Sequence, residues 1–251
     1  MPPPVPGCAG MPVRVLGVNG SARRYGNTFK LLKAAMIAAE ETGAETRLIH
    51  LYDYHIEPCR GCYSDNKLEC HYPKKCPIYE GTGDRFHEIA QAFLEADAVV
   101  IATPVYWFMA SGQLKNMFDR LTALENMVYH VGYSLLDGKV AGMIASGEEA
   151  GGAMALAWMA LTLNMMGFHV PAWGTAYYHG EDPLTSPQAV DDAYNVGRNV
   201  VLFARILRGE RIAVERWYEP LPEEERRRIV EAVRREAEEE REKARRERTW
   251  L

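Results

Sequence analysis

The sequence predicts an α/β protein built on a doubly wound, five-stranded parallel sheet. Short apolar runs rich in β-branched residues alternate with longer segments of helical periodicity, which is the order expected of βαβ units. The run at residues 98–102, AVVIA, is continuously apolar, as in a strand that helices cover on both faces. The 251 residues include 47% hydrophobic and 25% charged residues, an ordinary globular balance that excludes wholesale disorder.

Each predicted element has a local signal. A β-branched run at residues 13–18 ends at Asn19-Gly20 and predicts the first strand. Apolar residues then recur at helical spacing over residues 27–42, and Gly43 supplies a helix stop. The same reasoning predicts, in chain order, a strand at 46–51, a helix at 84–96, a strand at 98–102, a helix at 112–127, a strand at 140–145, a helix at 153–166 and a strand at 168–173.

Residues 150–180 contain no Asp, Glu, Lys or Arg, and this length is enough to span a bilayer. Glycines, Asn164 and Pro171 divide the segment, however, and no Lys/Arg cluster flanks it. We therefore expect no membrane span. The segment is interpreted as a buried helix followed by a short strand, packed either in the core or against another subunit.

Both ends of the chain differ from its middle. Residues 1–11 are Pro-rich and predict a flexible arm, ahead of a main domain at 12–210 and a C-terminal extension at 211–251. Residues 222–250 carry ten acidic and ten basic residues with a narrow apolar stripe, which predicts a charged helix. Two interpretations are open: a helix surrounded by solvent, or an arm that packs on another subunit. The stripe consists of Ile229, Val230, Val233 and Ala237.

Charge and cysteine content exclude two classes of protein. The formal net charge of −5 gives no basic field to hold a nucleic acid, so no nucleic-acid partner is expected. Five cysteines in 251 residues are too few for a disulfide-built secreted scaffold. The first residues also lack the basic and apolar regions of a signal peptide, and a cytoplasmic location is expected.

A glycine-bearing loop at residues 20–28 leads from the first strand into a helix. Such a loop presents backbone N–H groups and the positive end of the helix dipole to an anion. Asn27 adds an amide and a helix cap, and Arg23 or Arg24 adds positive charge. The loop matches neither Walker A nor G-x-G-x-x-G, and a capped turn with solvated arginines remains the alternative. The candidate ligands are Ser21, Arg23, Gly26, Asn27 and Thr28.

The pattern Gly-Ser-x-Arg-x-x-Gly-Asn-Thr at residues 20–28 resembles that of the NADPH-dependent FMN reductases, a branch of the flavodoxin-like fold. Residues 103–108 (TPVYWF), followed by Lys115 and Asp119-Arg120, resemble a second motif of that family. The similarity covers about residues 13–175. It implies strand order 2-1-3-4-5 and FMN bound at the switch point between strands one and three, where ligands sit in doubly wound sheets.

The resemblance also implies which loops flank the isoalloxazine. One is the aromatic loop after strand three, and the other is the glycine-containing loop at residues 146–152 after strand four. Glycine there lets the backbone approach a ring closely. Core packing or a dimer contact is the alternative for the aromatic cluster. The candidate ring-side residues are Pro104, Val105, Tyr106, Trp107, Phe108, Ser146, Gly147 and Gly151.

Four cysteines fall within eighteen residues in the pattern Cys59-x2-Cys62-x7-Cys70-x5-Cys76. Thiolates this close in a cytosolic chain usually hold an Fe–S cluster or zinc. This insertion, residues 55–84, resembles the cysteine motif of iron–sulfur flavoproteins, a subgroup of the same family. That motif has its third cysteine where this chain has Asp65, so Cys70 would supply the third thiolate. A [4Fe–4S] cluster is expected; the alternatives are zinc, or no metal with the thiols either free or paired in a disulfide.

Together these features predict an FMN-dependent oxidoreductase that takes electrons from NAD(P)H or a redox carrier. It would pass them to a small acceptor or a redox protein. No catalytic side chain is assigned, because the cofactor performs the electron chemistry. The alternatives are a metal-free NAD(P)H:FMN or quinone reductase, and a flavin electron carrier or interaction protein without turnover. By resemblance, a homodimer or homotetramer is expected.

Overall fold

The structure is a computed structural model that describes residues 11–73, 76, 78 and 82–247. Five parallel strands form one sheet in the order β2-β1-β3-β4-β5, which confirms the predicted fold class and strand order. Of the predicted arm at residues 1–11, all but Met11 lies outside the described residues. The strands are β1 (Val13–Asn19), β2 (Ala44–His50), β3 (Ala98–Pro104), β4 (Val140–Gly147) and β5 (Thr175–His179).

Helices cover both faces of the sheet, so its central strands β3 and β4 are almost completely buried. Within the described residues, no helix is both long enough and apolar enough to cross a bilayer. One face packs against α2, α3 and α5, and the other against α1, α6 and α7. The helices are α1 (Asn27–Glu41), α2 (Phe86–Glu95), α3 (Gly112–Glu125), α4 (Val128–Val131), α5 (Gly152–Met165), α6 (Pro187–Leu207) and α7 (Glu223–Glu247).

The two helices α1 and α6 approach each other very closely. A Cβ atom placed on Gly197 of α6 would lie 1.8 Å from the carbonyl oxygen of Ala35 in α1. Only a residue without a side chain fits at this crossing, because the backbone of the neighbouring helix occupies the space. The position of α1, and with it the loop that precedes α1, therefore depends on α6.

The fifth strand is not where the apolar pattern predicted it. The strand prediction for 168–173 is wrong, since Thr175–His179 pairs with β4 instead. Residues 168–173 contribute an isolated bridge between His169 and Val140. Pro171 has no N–H to donate to a ladder, and Trp173 adopts a φ of +54°, which an extended strand does not allow.

The charged C-terminal helix packs on its own domain. Ile229 and Val233 of α7 are completely buried and belong to the core formed with α1 and α6. Charged neighbours on α7 pair with the same domain, as in the 3.0 Å contact of Glu236 with Lys33. Both interpretations of this helix, as a solvated helix or as an arm on another subunit, are therefore corrected. The narrow apolar stripe is sufficient to hold α7 on the domain because the charged residues beside it form ion pairs with residues of α1 and α6.

Candidate functional site

One cleft lies at the carboxyl ends of β1, β3 and β4 and has a volume of about 490 Å³. We call it the three-loop cleft, after the loops at residues 20–28, 103–108 and 146–152. Backbone hydrogen bonds hold the strand ends together, from Gly20 to Ala102 and from Val105 to Ser146, each 2.8 Å long. The cleft is lined by Ser21, Arg23, Gly26, Asn27, Thr28, Pro104, Val105, Tyr106, Ser146, Gly147, Glu148, Gly180 and Glu181.

Loop 20–28 is shaped by short-range hydrogen bonds at its start. The backbone N–H of Ser21 donates to Asn19 Oδ1 over 3.1 Å, and the N–H of Arg23 donates to Ser21 Oγ over 3.1 Å. Helix α1 then begins with Gly26 as its N-cap, which has no side chain to cap the helix, and its first turn holds no acidic residue. The N–H groups of that turn therefore have no side-chain cap, and Gly26, Asn27 and Thr28 line the cleft.

Asn27 does not cap helix α1, and the sequence prediction is corrected on this point. Its side-chain amide donates instead to the carbonyl oxygens of Gly180 and Glu181, over 3.1 Å and 2.8 Å. Asn27 is already the first residue of the helix, so its side chain is directed across the cleft toward the segment after β5. It ties loop 20–28 to that segment.

The two arginines of the loop have different surroundings. Arg23 is exposed and lines the three-loop cleft. Arg24 faces away from the cleft, where it forms ion pairs with Asp53 and with Glu240 of α7. Of the two arginines that the sequence offered, Arg23 is therefore the one positioned to meet an anion in the cleft.

The other two loops are joined to the first and to each other. Thr28 Oγ1 and Ser146 Oγ share a 2.7 Å hydrogen bond, which links the start of α1 to the end of β4. Gly151 has a φ of +93°, and a Cβ atom there would lie 2.7 Å from the Cα atom of Phe108. Loop 146–152 can therefore contact loop 103–108 only with glycine at this position.

Three predicted ring-side residues lie beside the cleft, outside the set of residues that line it. Trp107 is 93% exposed, Phe108 is half exposed, and Gly151 packs behind Phe108. Trp107 and Phe108 have positive φ values of 51° and 66°, within a tight turn in which Tyr106 and Met109 exchange backbone hydrogen bonds. Large side chains rarely adopt this backbone, so the turn stores strain while it presents the aromatic rings at the rim.

The sequence prediction assigned no role in the cleft to Gly180, Glu181 or Glu148. Gly180 and Glu181 follow β5 directly. They could be recognised only from a parallel strand that ends at His179, and the sequence analysis placed the fifth strand earlier, at residues 168–173. Glu148 follows β4 directly, and because helix α5 begins only at Gly152, Glu148 lies in the wall of the cleft.

A second cavity, of about 110 Å³, collects all four clustered cysteines, and we call it the cysteine cavity. Burial raises the pKa of the Cys70 thiol to about 12, and the neighbouring thiols of Cys62, Cys59 and Cys76 add to the rise. Burial also raises the pKa of Cys59, against the hydrogen bond that its sulfur accepts from the Gly61 N–H. The four thiols are therefore close enough to influence one another electrostatically.

A buried ion pair fixes both ends of the cysteine segment to α3. Arg120 donates to Asp84 over 2.7 Å and to the carbonyl oxygen of Glu57 over 2.9 Å, and Asp84 accepts the N–H of Glu57 over 2.8 Å. Burial raises the pKa of Asp84, but the hydrogen bonds from Arg120 and from the backbone of Glu57 and Phe86 outweigh it and lower the net value. Residues 57 and 84 are thus held together at the base of the segment.

Two further side chains hold the middle of the segment. Asn126 donates to the carbonyl oxygens of Lys67 and Cys70, each over 2.6 Å, and His130 Nε2 lies 3.1 Å from the same oxygen of Cys70. In the described part of the chain, no group of three or more His, Cys, Asp or Glu side chains has the arrangement of a metal site. The four thiols nevertheless line one cavity.

Comparison with known proteins finds a matching family model and several curated relatives. A family model described as NADPH-dependent FMN reductase matches residues 13–180. An iron–sulfur flavoprotein of Methanocaldococcus jannaschii is 36% identical over 140 residues, which are 56% of this chain and 65% of that protein, a little less than two thirds of its length. An iron–sulfur flavoprotein of Archaeoglobus fulgidus is 30% identical over 164 residues, 65% of this chain and 77% of that protein.

Among solved structures, RosB with its bound intermediate 8-demethyl-8-formylriboflavin-5'-phosphate superimposes with a TM-score of 0.63. The sequence identity is 20%, and the match covers 91% of this chain and 87% of the other. At this identity the likeness concerns the fold alone.

Proposed function

The chain belongs to the NADPH-dependent FMN reductase family, and from that membership we propose that it is an FMN-dependent oxidoreductase with FMN bound in the three-loop cleft. The observation that carries the proposal is the convergence of three separate loops. Ten of the thirteen residues assigned to cofactor binding from the sequence line one cleft at the switch point of the sheet.

The loop at residues 20–28 suits the phosphate of FMN. The first turn of α1 offers backbone N–H groups with no side-chain cap and no acidic residue to compete with an anion. Arg23 supplies a positive charge at the same wall, and the Ser21 hydroxyl lies at the start of the loop. We propose that these groups bind the phosphate and thereby orient the rest of the cofactor.

The loops at residues 103–108 and 146–152 suit the isoalloxazine. Gly147 packs closely on Val105, since a Cβ atom on Gly147 would lie 3.2 Å from the Cβ atom of Val105. The backbone of residue 147 therefore lines the cleft directly, without a side chain in front of it. Tyr106 lines the cleft and Trp107 lies at its rim, where flat side chains shape access to a ring. When bound, FMN supplies one- and two-electron transfer between a donor and an acceptor. We propose NAD(P)H or a redox carrier as donor, and a small molecule or a redox protein as acceptor.

We further propose that the cysteine cavity holds a [4Fe–4S] cluster. Four thiols around one cavity are the ligand set that such a cluster requires. Curated relatives named iron–sulfur flavoproteins support the same assignment. Loading would draw the four sulfur atoms together and order the segment, because metal binding is coupled to folding. Four free thiols also fit a reducing compartment, and we propose a cytoplasmic location.

The test is an anaerobic absorption spectrum of freshly purified protein, with iron and zinc measured on the same sample. Flavin bands with an iron–sulfur shoulder and about four irons per chain are expected. Flavin bands without iron would leave a metal-free FMN or quinone reductase, and zinc in place of iron would replace the cluster assignment. Steady-state NAD(P)H oxidation separates an enzyme from a carrier without turnover. A protein that stays colourless after incubation with FMN would contradict the proposal for the cleft.

A second copy of the chain is proposed as a partner. Helix α5 carries no charged residue, and its Met154, Leu161 and Met165 are 59%, 66% and 74% exposed. Exposed apolar side chains on one helix next to the rim of the cleft are typical of a subunit contact. Light scattering should give the mass of a dimer or tetramer, and Leu161→Glu with Met165→Glu should give the monomer. A wild-type monomer mass would contradict this part of the proposal.

A further inference from the structure

Helix α7 lies beyond the family match, yet it contacts the loop at residues 20–28. Glu240 of α7 lies 3.4 Å from Arg24 of the loop, and the two side chains are 24% and 15% exposed. Arg24 also pairs with Asp53, which follows β2. Arg24 is therefore held on the outer side of the loop by two carboxylates.

A second route connects Glu240 to the start of the loop. His50 Nε2 lies 3.9 Å from Glu240, and His50 Nδ1 lies 3.0 Å from the side-chain nitrogen of Asn19. The side-chain oxygen of Asn19 accepts the backbone N–H of Ser21. Because the Asn19 amide nitrogen is a donor, His50 Nδ1 is the acceptor, and its Nε2–H is directed at Glu240. Burial, followed by the charge of Arg24, lowers the pKa of His50 and favours the neutral ring that this arrangement needs.

The position of Glu240 is itself fixed by packing. Val233, about two turns earlier on α7, is completely buried, and Glu236 pairs with Lys33 of α1 over 3.0 Å. Arg241, which follows Glu240, lies over the ring of Tyr25 at 5.8 Å from its centroid. Helix α7 therefore contacts two consecutive residues of the loop, Arg24 and Tyr25, from a position that is set by the core.

We propose that α7 is a positioning element for FMN binding, in which Glu240 holds the loop at residues 20–28 in the shape that meets the phosphate. With Arg24 retained on the outside, Arg23 and the N–H groups of α1 are left to face the cleft. Preorganising a loop lowers the entropy that binding must otherwise supply. The inference rests on the proposed function, because it needs FMN in the three-loop cleft.

The experiment compares FMN with riboflavin, which lacks the phosphate, on the full chain stripped of flavin. Glu240→Gln should raise the Kd for FMN about tenfold and change the Kd for riboflavin less than about twofold. Arg24→Gln should likewise weaken the binding of FMN much more than that of riboflavin. If Glu240→Gln fails to fold, Arg24→Gln is the variant that tests the proposal. Glu242→Gln is the matched control, since Glu242 is exposed and lies about 200° around the same helix from Glu240. It should leave both dissociation constants unchanged.

The outcomes separate the two proposals. If the wild-type chain fails to bind FMN, the proposed function is wrong and the inference falls with it. If wild type binds FMN and Glu240→Gln binds it equally or more tightly, the inference alone is overturned. A parallel loss of FMN and riboflavin affinity also overturns it, because general damage to the cleft would then replace positioning of the phosphate.

Discussion

Replacing Arg120 with Met should destabilise the protein well beyond the effect of an ordinary surface substitution. The side chains of Arg120 and Asp84 are 3% and 0% exposed, and they join α3 to both ends of the cysteine segment. Met has a similar length but no charge and no donor. The variant would leave the Asp84 carboxylate buried without the guanidinium.

The size of the effect follows from what Asp84 retains. Breaking a buried ion pair by removing one partner costs about 3 to 5 kcal/mol. In the variant, Asp84 still accepts the backbone N–H groups of Glu57 and Phe86, at 2.8 Å and 3.1 Å, so the lower end of that range applies. A loss of about 3 kcal/mol in a chain of this size lowers the melting temperature by about 6 to 12 °C.

Thermal and urea unfolding of the full chain near neutral pH measure this loss. Lys115→Met on the same helix is the matched control, because Lys115 and Asp119 form a 2.6 Å pair that is about half exposed. That control should cost about 0.5 kcal/mol or less. Since the pKa of Asp84 is depressed in the folded state, its contribution is fully present above the ordinary carboxyl pKa of 3.8 and is lost as the pH falls through the lower, folded value.

The reasoning is refuted if Arg120→Met costs no more than Lys115→Met near neutral pH. It is also refuted if the difference between wild type and Arg120→Met grows as the pH falls below 3.8. Either result would mean that the Asp84 carboxylate gains nothing from the guanidinium beyond what solvent and backbone supply.

Three further predictions concern single positions. Gly151→Ala should weaken FMN binding, measured by flavin fluorescence, because the added Cβ atom would lie 2.7 Å from Phe108 Cα at a φ of +93°; unchanged affinity would contradict the contact between the two loops. Gly197→Ala should cost about 3 kcal/mol in urea unfolding, since its Cβ atom would lie 1.8 Å from the Ala35 oxygen, and a neutral result would mean that α1 and α6 separate freely. Burial lowers the pKa of Lys139 from its ordinary 10.5 to about 8. Between pH 8 and 10.5 the unfolded chain therefore binds more protons than the folded chain, and the free energy of unfolding should rise with pH in this range. Lys139→Met should lose that rise, and an identical pH profile for wild type and variant would contradict the burial effect.

Local pattern was enough to predict most of the sheet. The continuously apolar run at residues 98–102 became β3, and the order of the strands followed from the resemblance carried by the loops after β1 and β3. The fifth strand was misplaced because residues 168–173 are the more apolar segment. Its successor Thr175–His179 carries two tyrosines and a histidine, and only pairing with β4 reveals it as a strand.

The site was predictable where a motif is local in sequence and not where it depends on distant partners. The loop at residues 20–28 was found from its own glycines and hydroxyls. The contribution of Gly180 and Glu181 could not be found before the end of β5 was known. Likewise, Arg23 and Arg24 are indistinguishable in the sequence, and it is Arg24 that pairs outside the cleft with Asp53 and with Glu240, which is more than 200 positions away.

The bond between Thr28 and Ser146, and the bonds from Asn27 to the segment after β5, make distant parts of the chain structurally interdependent. A substitution at the base of the cleft therefore disturbs several loops at once, whereas the nearly free side chain of Trp107 can be exchanged with little effect on its neighbours. The packing of the protein therefore constrains the base of the cleft more tightly than its rim, where the shape of the entrance can change without loss of the fold.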